Sequence, residues 1–433
     1  MTLPIAAIPN EGGGRVPEGV ASLTGLARRT CSDAGRYALL SLVRPDVSDS
    51  STRIPLSAAQ VGRDDAKAVA SAVASGWLSP AGPALDQFEA EIAAVADRKF
   101  AVGLSSGTAA LHLGLLALGV RPGDEVWTTT LTFVATINAI SYTGAVPVLF
   151  DVNPGTLTLD ADLLVDELER RISAGLQLPA AVVPVDLFGR CADLGAAEPL
   201  LKEYGVKVLY DAAESLGAKA FGRPAGSRGD AAAFSFNGNK VITTSGGGAL
   251  VTNSATVARM ARKLAAQARE EVRHYEHVDV GFNYRLSNVL AALGSSQLSQ
   301  LSQRVARRQR IYHLYQQGFA DLAGVGVLDP LRESDRLVGH APSRWLTCIA
   351  LNPTVHNCDR DSLIDSLERV NIEARPVWKP MHMQPLCQDF RLVGSGRIAE
   401  EAFAFGVALP SGSALRNRDV DRVIGRVRAS ITE

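Results

Sequence analysis

The stretch Ala101-Val102-Gly103-Leu104-Ser105-Ser106-Gly107-Thr108-Ala109-Ala110-Leu111 changes its pattern halfway along. Its first four residues are apolar or glycine, as in a strand buried on both faces. Ser105-Ser106-Gly107 is a turn of small residues, and Thr108 to Leu118 reads as a helix. A strand that passes through a short turn into a helix is the repeating unit of a parallel sheet. The unit recurs downstream: Glu125-Val126-Trp127 strand, Thr132 to Tyr142 helix, Pro147 to Phe150 strand, Ala161 to Ser173 helix, Ala180 to Pro184 strand, Leu194 to Tyr204 helix, Lys207-Val208-Leu209-Tyr210 strand. This alternation predicts an α/β fold with a large, mostly parallel sheet covered on both faces, with binding residues at the carboxyl ends of the strands.

Working outward, Asp64 to Ser75 and Ala84 to Ala96 read as amphipathic helices, whereas residues 1–52 are rich in Gly, Pro, Ser and Arg with one short helical patch, Ala34 to Val43. That segment is expected to be a flexible extension outside the fold. A vestigial leader, a partner-binding tail and a misassigned start codon are all compatible with it. Past Gly248, Ala249 to Thr252 reads as strand, Ser254 to Gln267 as helix, and Ser287 to Gln316 as one long helical stretch. The last hundred or so residues mix short strands (Arg344 to Leu351, Glu373 to Pro376) with helices (Asp359 to Arg369, Asp419 to Ala429). The expected division is a large domain over 53–300 and a smaller α+β domain over 301–433.

Composition excludes several classes. With 433 residues, 46% hydrophobic and 21% charged, the chain can bury a large core, and a net charge of -1 gives no field for nucleic acid. The basic run Arg304-Val305-Ala306-Arg307-Arg308-Gln309-Arg310 reads as a solvated helix face. Cys31, Cys191, Cys348, Cys358 and Cys387 are scattered and odd in number, so neither a disulfide framework nor a metal site is expected, and a reducing cytoplasm fits. No apolar run approaches the roughly 18 residues of a membrane span, and the N-terminus lacks a basic region followed by an apolar core.

Chemistry concentrates in Ser235-Phe236-Asn237-Gly238-Asn239-Lys240, followed by Val241-Ile242-Thr243-Thr244-Ser245-Gly246-Gly247-Gly248. A lysine in such a small-residue, glycine-rich setting is placed to join an aldehyde cofactor, although a surface lysine in a loop would look the same. Upstream, Tyr210-Asp211-Ala212-Ala213-Glu214 puts an aspartate at the end of a buried strand. Pyridoxal phosphate (PLP) needs such a carboxylate against its pyridine nitrogen; a helix cap is the plainer use. The Ser105-Ser106-Gly107-Thr108 turn opens a helix, where N–H groups and hydroxyls suit a phosphate.

In this order, phosphate turn, aspartate, lysine, the chain resembles the fold-type I PLP enzymes, and more narrowly the DegT-type sugar-nucleotide aminotransferases. The resemblance covers about Ile54 to the C-terminus. It rests also on Gly76-Trp77-Leu78-Ser79, Thr132-Phe133-Val134-Ala135-Thr136, Pro184-Val185-Asp186-Leu187-Phe188-Gly189, Gly281-Phe282-Asn283-Tyr284-Arg285 and Trp378-Lys379-Pro380-Met381-His382. It implies that Lys240 and Asp211 are catalytic, that Phe133 stacks on the pyridine ring, and that Gly107, Thr108 and Ser235 hold the phosphate. Asn283 would reach that phosphate from a second subunit of a homodimer with shared sites; capping the following helix is its other reading. Glu214 stands where many members have Gln or His beside the cofactor's 3-oxygen. Asp186 and His382 match positions bordering the sugar, or are structural loop residues. Arg285 would pair with a substrate anion or with an acidic neighbour inside the fold. The implied reaction moves an amine from glutamate, leaving 2-oxoglutarate, to a UDP- or dTDP-linked 4-keto-6-deoxy hexose. The family's dehydratases carry histidine in place of the lysine, so Lys240 favours amino transfer over that alternative. A non-catalytic regulatory protein on the same fold would more naturally have lost Lys240 or Asp211.

Overall fold

The runs that read as strands come together in one eight-stranded sheet. Across it the order is Phe100–Leu104, Gly248–Thr252, Ala231–Ser235, Lys207–Asp211, Ala181–Val183, Glu125–Thr129, Val146–Phe150 and the short edge strand Leu392–Val393. All neighbours are parallel except Gly248–Thr252, which runs against both of its partners. The computed structural model describes residues 52–432 apart from 330, 331, 353 and 357. The extension read over residues 1–52 thus lies, but for Thr52, outside the described residues.

Both faces of the sheet are buried because the strands carry consecutive apolar residues at their centres rather than alternate ones. Val208 and Tyr210 point into one core with Ala232 and Phe234, while Leu209 points into the other with Ala231 and Ala233. A separate antiparallel sheet, Val325–Val327, Thr347–Leu351, Gly406–Leu409 and Arg375–Pro376, has its own core with Ile311, Tyr315, Val420 and Val423. The strands Ala231–Ser235, Leu392–Val393 and Gly406–Leu409 escape the periodicity reading. Two are short, and Ala231-Ala232-Ala233 has helix-favouring composition that its place between two strands overrides.

Two expectations are corrected. The long helical stretch is two helices, Asn288–Leu298 and Leu301–Gly318. Ser299 ends the first, its hydroxyl bonded at 2.7 Å to the Ser296 carbonyl, a side-chain bond to the backbone that competes with the helix. Nor is the basic run a solvated face. Arg304 and Arg308 are 4% and 1% exposed and share the buried side of the second helix with Val305, Ile311, Tyr312 and Tyr315.

Gly248 sits where three segments meet. It pairs with Leu104 on one side and Ser235 on the other, and a Cβ there would drive into the backbone of Ser106 and Gly107. Neither neighbouring strand can retreat. Gly248→Ala is expected to lower stability by about 1–3 kcal/mol, read as a fall in melting temperature. Gly425→Ala, on the Asn417–Thr432 helix with open space around it, is expected to keep or slightly raise it.

Candidate active site

Strand order decides what meets at the carboxyl edge. The Gly107–Ala117 helix starts there, capped by the Ser106 hydroxyl, which accepts the Ala109 N–H at 3.0 Å. Gly107 and Thr108 lie in its first turn, where the helix supplies no acceptor for its own N–H groups. Ser235 ends its strand against Gly107, so closely that a Cβ on the glycine would stand 2.9 Å from the serine Cβ. Only a glycine leaves this cradle open. Thus Gly107, Thr108 and Ser235 are brought together, though 128 positions separate the first from the last.

Asp211 closes the strand Lys207–Asp211 and is 5% exposed. Thr136 donates to its Oδ2 at 2.7 Å and the Ala213 N–H to its Oδ1 at 3.2 Å. Burial pushes its pKa up, against those two hydrogen bonds and the nearby Lys240 charge, which favour the ionised form. Phe133, 55% exposed, begins the Val134–Tyr142 helix that carries Thr136, with its ring centroid 5.8 Å from Trp378. Its open face is free for stacking.

Lys240 Nζ lies 3.7 Å from Glu214 Oε1 and 4.0 Å from the centre of the Trp345 ring. The other Glu214 oxygen accepts the Phe188 N–H at 2.9 Å, and burial raises this carboxyl to about 7 against the pull of Lys240. Phe188 is held at φ 51°, followed by Gly189 at φ 99°; a Cβ on that glycine would meet the Arg344 and Trp345 amides at 2.6 Å. Phe188, Trp345 and Trp378 form an aromatic wall, with Trp378 5.9 Å and 6.4 Å from the other two. Trp345 was not singled out in the sequence. Its place in the fold makes it a wall residue, and the only local signal was its being one of four tryptophans.

The residues expected around the sugar sit differently. Asp186 is 1% exposed, and both oxygens are engaged, by the Ser215 hydroxyl at 2.5 Å and the Ala192 N–H at 2.8 Å. These two bonds tie it to the loops that carry Ser215 and Ala192. Arg285 also turns inward, onto Glu89 at 2.7 Å, whose same oxygen takes the Gly103 N–H at 2.8 Å. That is the acidic neighbour inside the fold. His382 is half-buried, with Nδ1 2.7 Å from the Thr130 hydroxyl and Nε2 3.0 Å from Glu400. Asn283 is exposed, on a segment laid along the phosphate turn of its own chain by a 2.7 Å bond from the Ser105 N–H to the Tyr284 carbonyl.

Asp186 carries a pH signature. Burial lifts its pKa from 3.8 to about 7. The native state therefore binds more protons than the unfolded chain between those values, and stability falls as pH rises through them. Asp186→Asn keeps an acceptor for Ala192 and removes the titration. Its melting temperature is expected to decline less than that of the unaltered protein between pH 4 and 7, a difference that a pH series of thermal melts reads directly.

These groups fit PLP: a cradle of helix N–H groups and hydroxyls for its phosphate, a buried carboxylate for its ring nitrogen, an aromatic face, and an amine for its aldehyde. The described residues include no helix long and apolar enough to cross a membrane. Comparison with known proteins agrees with this reading. EpsN of Bacillus subtilis, whose name is that of a pyridoxal phosphate-dependent aminotransferase, is 41% identical over 359 residues, 82% of this chain and 90% of that one. GDP-perosamine synthase of Caulobacter vibrioides is 35% identical over 372 residues, 86% of this chain and 96% of its own. The solved structure of the aminotransferase TlmJ from Streptoalloteichus hindustanus matches with a TM-score of 0.77 and 32% identity, covering 88% of this chain and 99% of that one. A family model described as the DegT/DnrJ/EryC1/StrS aminotransferase family spans residues 59–428, and this chain belongs to that family of PLP-dependent sugar aminotransferases.

Proposed function

We propose that this aminotransferase takes its amine from glutamate and delivers it to the keto carbon of a 4-keto-6-deoxy hexose carried on a nucleoside diphosphate. The observation that carries the reading is the meeting of Lys240, Glu214 and the buried Asp211 carboxylate beside an open phosphate cradle. Resemblance points to UDP or dTDP as the nucleotide. Similar proteins widen the range, since one is named a GDP-perosamine synthase and DesI, 28% identical, was solved with its TDP-sugar product.

Bound PLP would supply a carbonyl that takes the donor's amine and passes it on to the keto sugar, and a ring that accepts the electron pair of the broken C–H bond. Asp211 keeps a proton on the ring nitrogen, so that this sink stays cationic. Lys240 Nζ, freed by the incoming amine, would act as the general base that removes the α-proton of the donor and as the general acid that gives it back, and would serve in the reverse sense with the sugar. Gly107, Thr108 and Ser235 anchor the phosphate, and Phe133 covers one ring face. Glu214, raised to about 7, is able to hold a proton and donate it to the 3-oxygen, which an ionised carboxylate could not do. His382 borders the sugar side.

Two experiments test this reading. Mixed with glutamate alone, the holoprotein is expected to change its absorbance spectrum and release 2-oxoglutarate in one turnover; Lys240→Ala, which lacks the base for proton transfer, is expected to release none. Mass spectrometry of products from UDP-, dTDP- and GDP-linked keto sugars then identifies the acceptor, and failure of all of them to gain an amine would reject the sugar class named here.

The exposure of Asn283 supports a site completed by a second copy of the chain. In mixed dimers of Lys240→Ala with an inactivating change at Asn283, one site carries both defects and the other neither. Roughly half of randomly assorted dimers are mixed, so about a quarter of full activity is expected to return. Activity no higher than the mean of the two variants would mean that Asn283 serves its own chain.

A further inference from the structure

Arg308 lies at the centre of a closed ring of hydrogen bonds under the lysine. Its Nη1 donates to the Trp345 carbonyl at 2.6 Å, and the Trp345 indole N–H donates to the Asn239 carbonyl at 2.7 Å. The Ser57 hydroxyl donates to that same Asn239 carbonyl at 2.8 Å and accepts from Arg308 Nη2 at 3.2 Å, which completes the ring. Nη1 reaches the Ser411 carbonyl as well, at 3.0 Å, and Nη2 stands 3.5 Å from the carbonyl of Lys240 itself.

The guanidinium is 1% exposed, and among the described residues every acceptor it meets is a neutral carbonyl or hydroxyl. Burial and the neighbouring Arg304 lower its pKa to about 9, so it remains a cation at neutral pH. A buried cation without a counter-charge is costly, and an apolar side chain would fill the space more stably. What an arginine adds is geometry: a rigid fork of donors that fixes several acceptors in one plane. Here the acceptors belong to the turn carrying Lys240 and to the residue whose ring Lys240 Nζ faces at 4.0 Å. Both halves of the lysine–indole contact are thus tied to one group.

We propose that Arg308 is a positioning residue for the transamination. Through Trp345, Asn239 and Ser57 it fixes the Lys240 amine relative to the aromatic wall and to Glu214. This rests on Lys240 being the cofactor-bearing lysine.

The test uses the full-length holoprotein. Borohydride reduction and peptide mass spectrometry first locate the cofactor on the unaltered chain; a cofactor found elsewhere than residue 240 would remove that prior reading, whatever Arg308 does. With Lys240 established, Arg308→Met is expected to melt cooperatively yet lose on the order of ten- to a hundredfold in kcat, with the KM for glutamate little changed. The pH midpoint of the absorbance of the Lys240-bound cofactor is expected to shift, because the amine sits differently against Glu214. Ser57→Ala, which opens the ring at one hydroxyl, is expected to shift the midpoint in the same direction with a loss of about threefold in kcat. Arg308→Lys is expected to recover part of both. A folded Arg308→Met or Ser57→Ala protein with an unshifted midpoint and full kcat overturns the proposal. If Arg308→Met does not fold, Ser57→Ala alone decides it in the same way.

Discussion

The sheet fixes the Asp211 carboxylate, and the rest of the site is arranged around it. Lys207–Asp211 is hydrogen-bonded in parallel to Ala181–Val183 on one side and to Ala231–Ser235 on the other, so its end cannot shift without disturbing two ladders. Thr136 and the Ala213 N–H then hold one oxygen each, and Thr136 is itself 2.7 Å from the Thr132 hydroxyl. On the proposed function this carboxylate would face a ring nitrogen through two half-reactions, and rigidity serves that role because preorganised groups cost nothing to reorient as the reaction proceeds.

Two acids share the site, and their surroundings give them different capacities. Asp211 receives two hydrogen bonds, both favouring its ionised form. Glu214 receives one, from Phe188, and depends on Lys240 for the rest of its stabilisation. When the lysine amine is no longer a free cation, Glu214 loses its main reason to stay ionised, whereas Asp211 keeps both of its donors. Burial raises both carboxyls, and what divides them is the number of backbone and hydroxyl donors that favour the ionised form, two for Asp211 and one for Glu214. The strained Phe188 and the close-packed Gly189 belong to this division, because they aim the N–H that Glu214 uses.

The cradle, the aspartate and the lysine were legible because each is a local event: a strand ending in a small-residue turn, a carboxylate at a strand end, a lysine amid glycines. Their assembly follows from strand order, which the alternation of strands and helices nearly dictates. Other features depend on what lies across the fold. Trp345 becomes part of the wall only because Gly189 lets two loops approach closely. Asp186 and Arg285 look like ligand groups in sequence, yet one finds Ser215 and the other Glu89. Arg308 had a readable signal, spaced with Ile311, Tyr312 and Tyr315 on the buried side of its helix, but a basic run conceals it. Spacing tells which side a residue takes, and charge alone does not.

The C-terminal lobe is built into the site rather than resting against it. Leu392–Val393 adds a parallel strand to the edge of the large sheet, and the Met381 N–H bonds to the Thr130 carbonyl at 2.7 Å. The segment from Met381 to Val393, which carries His382, is therefore tied at both ends to the large sheet and the loop that leaves it, while Arg308 ties Trp345 to the lysine turn. Swinging this wall away would break ladder and carbonyl bonds together. On the proposed function an amino donor and a larger sugar would use this one standing site in turn, and discrimination between them would fall to exposed groups beside it, such as Phe133 at 55% exposure.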